Sequence, residues 1–144
     1  MKNTMEIKFK ALAENEAFAR NVVASFLLPL NPSINELTDI KTAVSEAVTN
    51  AVVHAYPERT GTITMKVSTE KNKVEISISD NGIGIRDIER ALTPFYTSKP
   101  EQERSGMGFT VMESFMDKLE VKNNKEGVTV SMFKEIQVDE VVGL

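Results

Sequence analysis

The chain has 144 residues, of which 41% are hydrophobic and 26% are charged, a composition typical of a single globular domain. It contains no cysteine, which excludes disulfide bonds, thiolate metal sites and a cysteine nucleophile. The net charge of −4 gives no support for binding nucleic acid through its phosphates.

The N-terminal residues lack an apolar signal core, and no stretch approaches the roughly 18 uncharged apolar residues that a membrane-spanning helix needs. We therefore expect a cytoplasmic protein with no membrane partner and no direct nucleic-acid partner.

The first third of the chain predicts one strand and two helices. Residues 5–10 alternate between apolar and charged side chains, which predicts a strand with one face in solvent. Residues 14–28 carry apolar side chains every four positions, which predicts a helix. Ser33 followed by Glu36 forms a capping-box pattern, and the second helix that it opens is expected to run to about Tyr56.

Two pairs of strands follow in the remaining chain, at 63–67 with 74–78 and at 118–122 with 128–132. Strands joined as hairpins, with helices grouped between them, are typical of an α/β fold with two layers. We therefore predict a single domain over residues 1–144, an α/β two-layer sandwich with a mixed, mostly antiparallel sheet.

Residues 81–105 have a mostly irregular pattern with a short helical segment at 88–92, and a third helix follows at about residue 108. An irregular stretch of this length inside a compact domain is typical of a binding loop or lid.

Glu46, Asn50 and His54 are spaced four residues apart on the second predicted helix, so they lie on nearly one face. A carboxylate and a carboxamide one turn apart can provide oxygen ligands for Mg²⁺ on a triphosphate, together with a proton acceptor. A polar helix face in contact with solvent would show the same spacing, so both interpretations stay open at this point.

The sequence DNGIG at residues 80–84 comes directly after a predicted strand. The carboxylate of Asp80 can accept a hydrogen bond from the exocyclic amine of a base, and Gly82 and Gly84 let the backbone approach a flat ring closely. An Asp-Asn-Gly turn without a ligand is the alternative. A dinucleotide fingerprint is excluded, because Asp87 occupies the position of its third glycine.

The sequence RSGMG at residues 104–108 precedes the third predicted helix. Free backbone N–H groups at Gly106 and Gly108, with the positive end of the helix dipole, favour a phosphate group. Arg104 can add a planar guanidinium that clamps a terminal phosphoryl group. The alternative is a flexible hinge with an exposed arginine.

In their order along the chain these motifs resemble the N, G1, G2 and G3 boxes of the GHKL ATPase superfamily of gyrase, Hsp90, histidine kinases and MutL, the Bergerat ATP-binding fold. The matching segments are ExxxNAxxHA at 46–55, DxGxG at 80–84, GMG at 106–108 and GVT at 127–129. Further segments are similar to the sporulation anti-sigma factors, which are serine kinases: ENExFAR at 14–20, SEAVTNA at 45–51 and TSKPE at 97–101.

The resemblance implies a site for ATP or ADP with Mg²⁺. Asp80 would contact the adenine amine, supported through water by Thr129, and Gly82 and Gly84 would line the base pocket. Asn50 would coordinate the Mg²⁺. The other implied nucleotide contacts belong to an ATP lid at about residues 85–107 or to its end, and they are Thr97, Lys99, Ser105, Gly106, Met107 and Gly108.

The resemblance also implies chemistry and partners. Glu46 would be the general base on a serine hydroxyl, Arg104 would lie near the γ-phosphate, and His54 would have no catalytic role. Arg20 matches a position that docks protein partners. Those partners would be a sigma factor, which the protein inhibits, and a STAS-type anti-anti-sigma protein, which it phosphorylates, and the protein itself would be a homodimer.

Three other functions remain to be compared with this one. A sensor histidine kinase is disfavoured, because the single histidine, His54, already belongs to the nucleotide-site helix. A nucleotide-gated module that sequesters a sigma factor without kinase activity would not need a carboxylate at Glu46. A stress-response anti-sigma kinase is an alternative of the same class.

Overall fold

The computed structural model describes residues 1–55, 61–85, 88, 92, 108–124 and 126–137. Within these residues the chain forms, in order, β1 (Asn3–Lys10), α1 (Asn15–Leu27), α2 (Ile34–Asn50), β2 (Thr62–Glu70), β3 (Lys73–Asp80), α3 (Gly108–Phe115), β4 (Lys118–Asn123) and β5 (Val128–Glu135). A 3₁₀ turn, Leu28–Leu30, follows α1, and a π-helical turn, Ala51–Ala55, follows α2.

The strands form one sheet in the order β1-β2-β3-β5-β4. The predicted α/β architecture with a mostly antiparallel sheet is confirmed, and the strand pairs in the described residues are all antiparallel. Two helices connect β1 to β2, so the chain returns to the sheet in the opposite direction. β3 and β4 each run antiparallel to β5, which lies between them, so the described strands form no parallel pair.

The core lies between the sheet and the helices, because each central strand alternates between buried apolar and exposed polar side chains. Opposite them, α2 presents its own buried stripe and packs between α1 and α3. Burying one such Ile, Val or Met contributes about 1.5–3 kcal/mol to stability. The fully or almost fully buried residues of β2, β3 and α2 are Ile63, Met65, Val67, Val74, Ile76, Ile78, Ile40, Ala43, Val44, Ala47 and Val48.

The predicted capping box at the start of α2 is confirmed. The Ser33 hydroxyl accepts from the Glu36 N–H at 3.0 Å, and the Ser33 N–H donates to Glu36 Oε1 at 2.9 Å. The second carboxylate oxygen, Oε2, accepts from the Gln137 N–H at 2.8 Å, just beyond β5. The same side chain therefore fixes both the first turn of α2 and the end of the last strand.

The second helix differs from its prediction near the end. The α-helix ends at Asn50, and the chain then widens into the π-helical turn, while Tyr56, its expected end, lies outside the described residues. A π-turn inside a helix is frequent at functional sites. Between Ile88 and Leu92, the Leu92 N–H donates to the Ile88 carbonyl at 3.0 Å, the bond expected for the short helical segment predicted there.

None of the helices in the described part of the chain is long and apolar enough to cross a membrane.

Candidate functional site

Asp80 is the last residue of β3, and its side chain lies on the helix side of the sheet with only 7% of its surface exposed. Its Oδ1 accepts from the Gly82 N–H at 2.9 Å and from the Val128 N–H at 3.2 Å. Two backbone donors on different segments therefore hold the carboxylate in one orientation. Within the described residues Oδ2 has no such donor, so it is available to accept from a ligand amine.

Burial raises the pKa of Asp80, and the two backbone hydrogen bonds only partly offset this effect. The folded protein therefore keeps the Asp80 proton at a pH where the unfolded chain has lost it. The stability that this proton contributes is complete below about pH 4, the ordinary range of an aspartate, and is lost as pH rises through the folded pKa.

We expect Asp80→Asn to remove this pH dependence, because asparagine keeps the acceptor oxygen but does not titrate. The free energy of unfolding of the wild type minus that of Asp80→Asn should fall as pH rises through the raised pKa and then stay constant. Urea denaturation between about pH 3.5 and pH 7 measures this difference.

Glu36→Gln is the matched comparison. Burial tends to raise the pKa of Glu36, but hydrogen bonds from Gln137 and Ser33 and the charge of Lys134 outweigh it, so the pKa is lowered. The corresponding free-energy difference for Glu36→Gln should therefore rise with pH. If the two free-energy differences changed with pH in the same direction, the opposite pKa shifts of Asp80 and Glu36 would be contradicted.

Gly82 is where the chain that leaves β3 packs against the π-helical turn. The Ile83 N–H donates to the Ala55 carbonyl at 3.0 Å, and a β-carbon at position 82 would lie 2.2 Å from that carbonyl oxygen. Only glycine permits this approach. The end of the second helix and the start of the predicted binding loop are therefore in direct backbone contact.

Asn50 occupies the other end of the site. Its Oδ1 is buried and has no hydrogen-bond partner among the described residues, and Gly108, the first residue of α3, lies against its carboxamide. A β-carbon at Gly108 would lie 3.0 Å from both Oδ1 and Nδ2 of Asn50. The structure therefore brings Asn50 to the N-terminus of α3.

The residues present fit a Mg²⁺ ion that is bound together with a nucleotide. A buried amide oxygen without a partner is a hard ligand of the kind that Mg²⁺ prefers. Among the described residues there is no group of three or more His, Asp or Glu that would hold a metal by itself. Such an ion would therefore take its other ligands from phosphate oxygens and water.

Glu46 is half-buried one helical turn before Asn50, so these two side chains share a face of α2. His54 is half-buried in the π-helical turn. Gly84 has a φ of +78° and lies two residues beyond Gly82. The predicted residues Thr97, Lys99, Arg104, Ser105, Gly106 and Met107, with nearly all of the predicted lid, lie outside the described residues.

The structure does not bring Thr129 to Asp80. Its hydroxyl lies on the opposite face of the sheet, 2.9 Å from the hydroxyl of Ser79, and also accepts from Asn124. The reason is strand alternation, because Val128 and Val130 point toward the core and the residue between them points away. The group that reaches Asp80 is the backbone N–H of Val128, which the sequence analysis missed.

Arg20 lies on α1, where its guanidinium donates to Glu16 at 2.6 Å. Both residues line an open cleft of about 330 Å³ between α1 and α2, together with Thr38, Lys41, Thr42 and Ser45. This cleft shares no residue with the Asp80 and Asn50 ends of the site.

A family model described as "Histidine kinase-like ATPase domain" matches residues 9–134. The anti-sigma F factor of Clostridium acetobutylicum is 50% identical over 141 residues, which cover 97% of this chain and 99% of the relative. That of Caldanaerobacter subterraneus subsp. tengcongensis is 51% identical over 135 residues, 93% of this chain and 94% of the relative.

Among solved structures, the RsbU and RsbW domains of Rv1364c from Mycobacterium tuberculosis match with a TM-score of 0.68 and 18% identity. The match covers 93% of this chain and 32% of that one, and it supports the fold. The chain belongs to the family of histidine kinase-like ATPase domains and, by its near full-length relatives, to the anti-sigma F factors.

Proposed function

We propose that the protein binds ATP or ADP with Mg²⁺, inhibits a sigma factor of sporulation, and phosphorylates a serine of a STAS-type anti-anti-sigma protein. The observation that carries the proposal is the buried, unpartnered Oδ1 of Asn50 at the N-terminus of α3, on the same helix as Glu46. Near full-length similarity to anti-sigma F factors supports the choice of partners.

In this proposal the Asp80 end of the site binds the base and the Asn50 end binds the phosphates. Asp80, held by two backbone N–H groups, would accept a hydrogen bond from the adenine amine. Gly82 and Gly84 would face the ring. Asn50 would hold Mg²⁺, whose chemical contribution is to neutralise charge on the phosphates.

Phosphoryl transfer then needs a proton acceptor and charge stabilisation more than covalent chemistry by the protein. The serine oxygen forms a bond to the γ-phosphorus, the bond to the bridging β–γ oxygen breaks, and ADP leaves. Glu46 accepts the hydroxyl proton in this step. Arg104 and the backbone N–H groups from Ser105 to Gly108 would stabilise the charge on the transferred group.

Partner docking belongs to a separate surface in the proposal. Arg20 is held by Glu16 at the cleft between α1 and α2, so its guanidinium is oriented before a partner arrives. A homodimer would pair through β1, which lies at one edge of the sheet.

The test combines the purified protein, Mg²⁺, ATP labelled at the γ-phosphate and a candidate anti-anti-sigma protein. We expect label on one serine of that protein and none when this serine is replaced by alanine or when Mg²⁺ is chelated. A tight complex that never acquires label would contradict the kinase and favour a binding module. Failure to bind ATP or ADP at all would contradict the nucleotide site.

A further inference from the structure

The side chain of Asn123, the last residue of β4, makes two hydrogen bonds to the backbone of a single distant residue. Its Nδ2 donates to the Ile85 carbonyl at 2.6 Å, and its Oδ1 accepts from the Ile85 N–H at 2.8 Å. In an antiparallel sheet, a residue of the neighbouring strand makes the same two hydrogen bonds, one to the N–H and one to the carbonyl of its partner. The carboxamide of Asn123 therefore replaces the backbone of a neighbouring strand as the hydrogen-bond partner of Ile85.

These bonds fix the chain where it leaves the Asp80 end of the site. Ile85 is half-buried and packs against the hydrophobic core, so its side chain and its backbone are held from two directions. Gly84, with φ of +78°, lies directly beside the same carboxamide, since a β-carbon there would be 3.1 Å from Asn123 Oδ1. The position of Gly84 is thus set by a side chain from another part of the sheet.

Asn123 is itself well positioned for this role. The N–H of the next residue, Asn124, donates to the Gly127 carbonyl at 3.0 Å and closes the hairpin. The same β4–β5 hairpin provides the Val128 N–H to Asp80. One hairpin therefore fixes both the carboxylate that would recognise the base and the segment that would lie against it.

We propose that Asn123 is a positioning residue for the nucleotide pocket, which sets nucleotide affinity by holding the backbone of Gly84 and Ile85. Asn123 is exposed, so water can replace its bonds to Ile85 when the side chain is removed. Water satisfies the Ile85 groups without fixing where they lie. The side chain is therefore required for the geometry of the pocket more than for the stability of the fold. This inference rests on the proposed nucleotide site.

The test compares the wild type with Asn123→Ala, Asn123→Asp and the matched control Asn124→Ala, using ADP with Mg²⁺ as the probe. We expect Asn123→Ala to raise the Kd for ADP about tenfold, because the nucleotide must then order the backbone of Gly84 and Ile85 as it binds. Asn123→Asp keeps the acceptor but loses the donor, and we expect an intermediate Kd. Asn124→Ala removes a neighbouring carboxamide that does not touch Ile85, and its Kd should stay within about twofold.

Two further measurements separate positioning from folding. The KM for ATP should rise in Asn123→Ala with kcat unchanged, and the urea midpoint should match that of Asn124→Ala. Hydrogen exchange of the Ile85 amide should accelerate in Asn123→Ala and stay unchanged in Asn124→Ala, with no nucleotide present.

The outcomes distinguish this inference from the proposed function. Equal ADP affinity of the wild type and Asn123→Ala would overturn the role of Asn123 and leave the nucleotide site intact. Equal weakening by Asn124→Ala would also overturn it, because the hairpin as a whole would then be responsible. A wild type that binds no ADP, with faster Ile85 exchange still seen in Asn123→Ala, would instead overturn the nucleotide site.

Discussion

Gly127→Ala is expected to lower the free energy of unfolding by about 3–5 kcal/mol, a loss that is exceptional for a single methyl group. Gly127 has a φ of +79°, which costs a residue with a side chain about 1–2 kcal/mol. In addition, a β-carbon at this position would lie 2.1 Å from the Asp80 carbonyl oxygen and 2.5 Å from its Oδ1. The hairpin would have to move away from β3.

The same displacement should weaken nucleotide binding. Moving the hairpin separates the Val128 N–H from Asp80, so the carboxylate loses one of the two donors that orient it. A hydrogen bond to a charged group contributes about 1.5–3 kcal/mol, and we therefore expect ADP affinity to fall by at least about tenfold to a hundredfold. Chemical denaturation and ADP titration measure the two effects.

Gly84→Ala is the matched control for this substitution. Its φ of +78° imposes the same backbone cost, but its β-carbon would come no closer than 3.1 Å to any atom, the nearest being the Asn123 Oδ1 of an exposed side chain. We expect a loss of about 1–2 kcal/mol, from the left-handed conformation alone. If both variants lose the same stability, the close approach of position 127 to Asp80 is not the cause of the extra loss expected for Gly127→Ala.

The sequence patterns predicted the fold well wherever the signal is local. Apolar alternation located β2 and β3, and the Ser33–Glu36 box located the start of α2 within one residue. A mostly antiparallel sheet was expected, and the order of its strands was not predicted, because the pattern that predicts a strand does not show which strand will be its neighbour. That β5 lies between β3 and β4 depends on packing across the whole sheet.

The site was predicted less completely, for two different reasons. The outward direction of Thr129 was available in the sequence, since Val128 and Val130 on either side of it are apolar and successive strand residues point to opposite faces. The two bonds from Asn123 to Ile85 were not available, because they join residues 38 positions apart through one polar side chain at a strand end. No periodicity marks such a contact.

Glu46→Gln is expected to reduce the rate of phosphoryl transfer by about a hundredfold or more, the usual contribution of a positioned general base. Glutamine has nearly the same size as glutamate but cannot accept the serine proton. Glu46 lies one helical turn before Asn50, so the proposed base and the proposed Mg²⁺ ligand are placed by the same rigid helix. Single-turnover transfer of label from ATP to the anti-anti-sigma protein measures the effect.

ADP affinity should change by less than about threefold in Glu46→Gln, because a general base acts on the transition state and not on the bound nucleotide. Glu113→Gln, an identical change on an exposed position of α3, controls for the lost charge and should transfer label at the wild-type rate. Transfer by Glu46→Gln at the wild-type rate would refute Glu46 as the base. If transfer and ADP affinity fell together, Glu46 would instead be part of nucleotide binding, and the proton would have another acceptor.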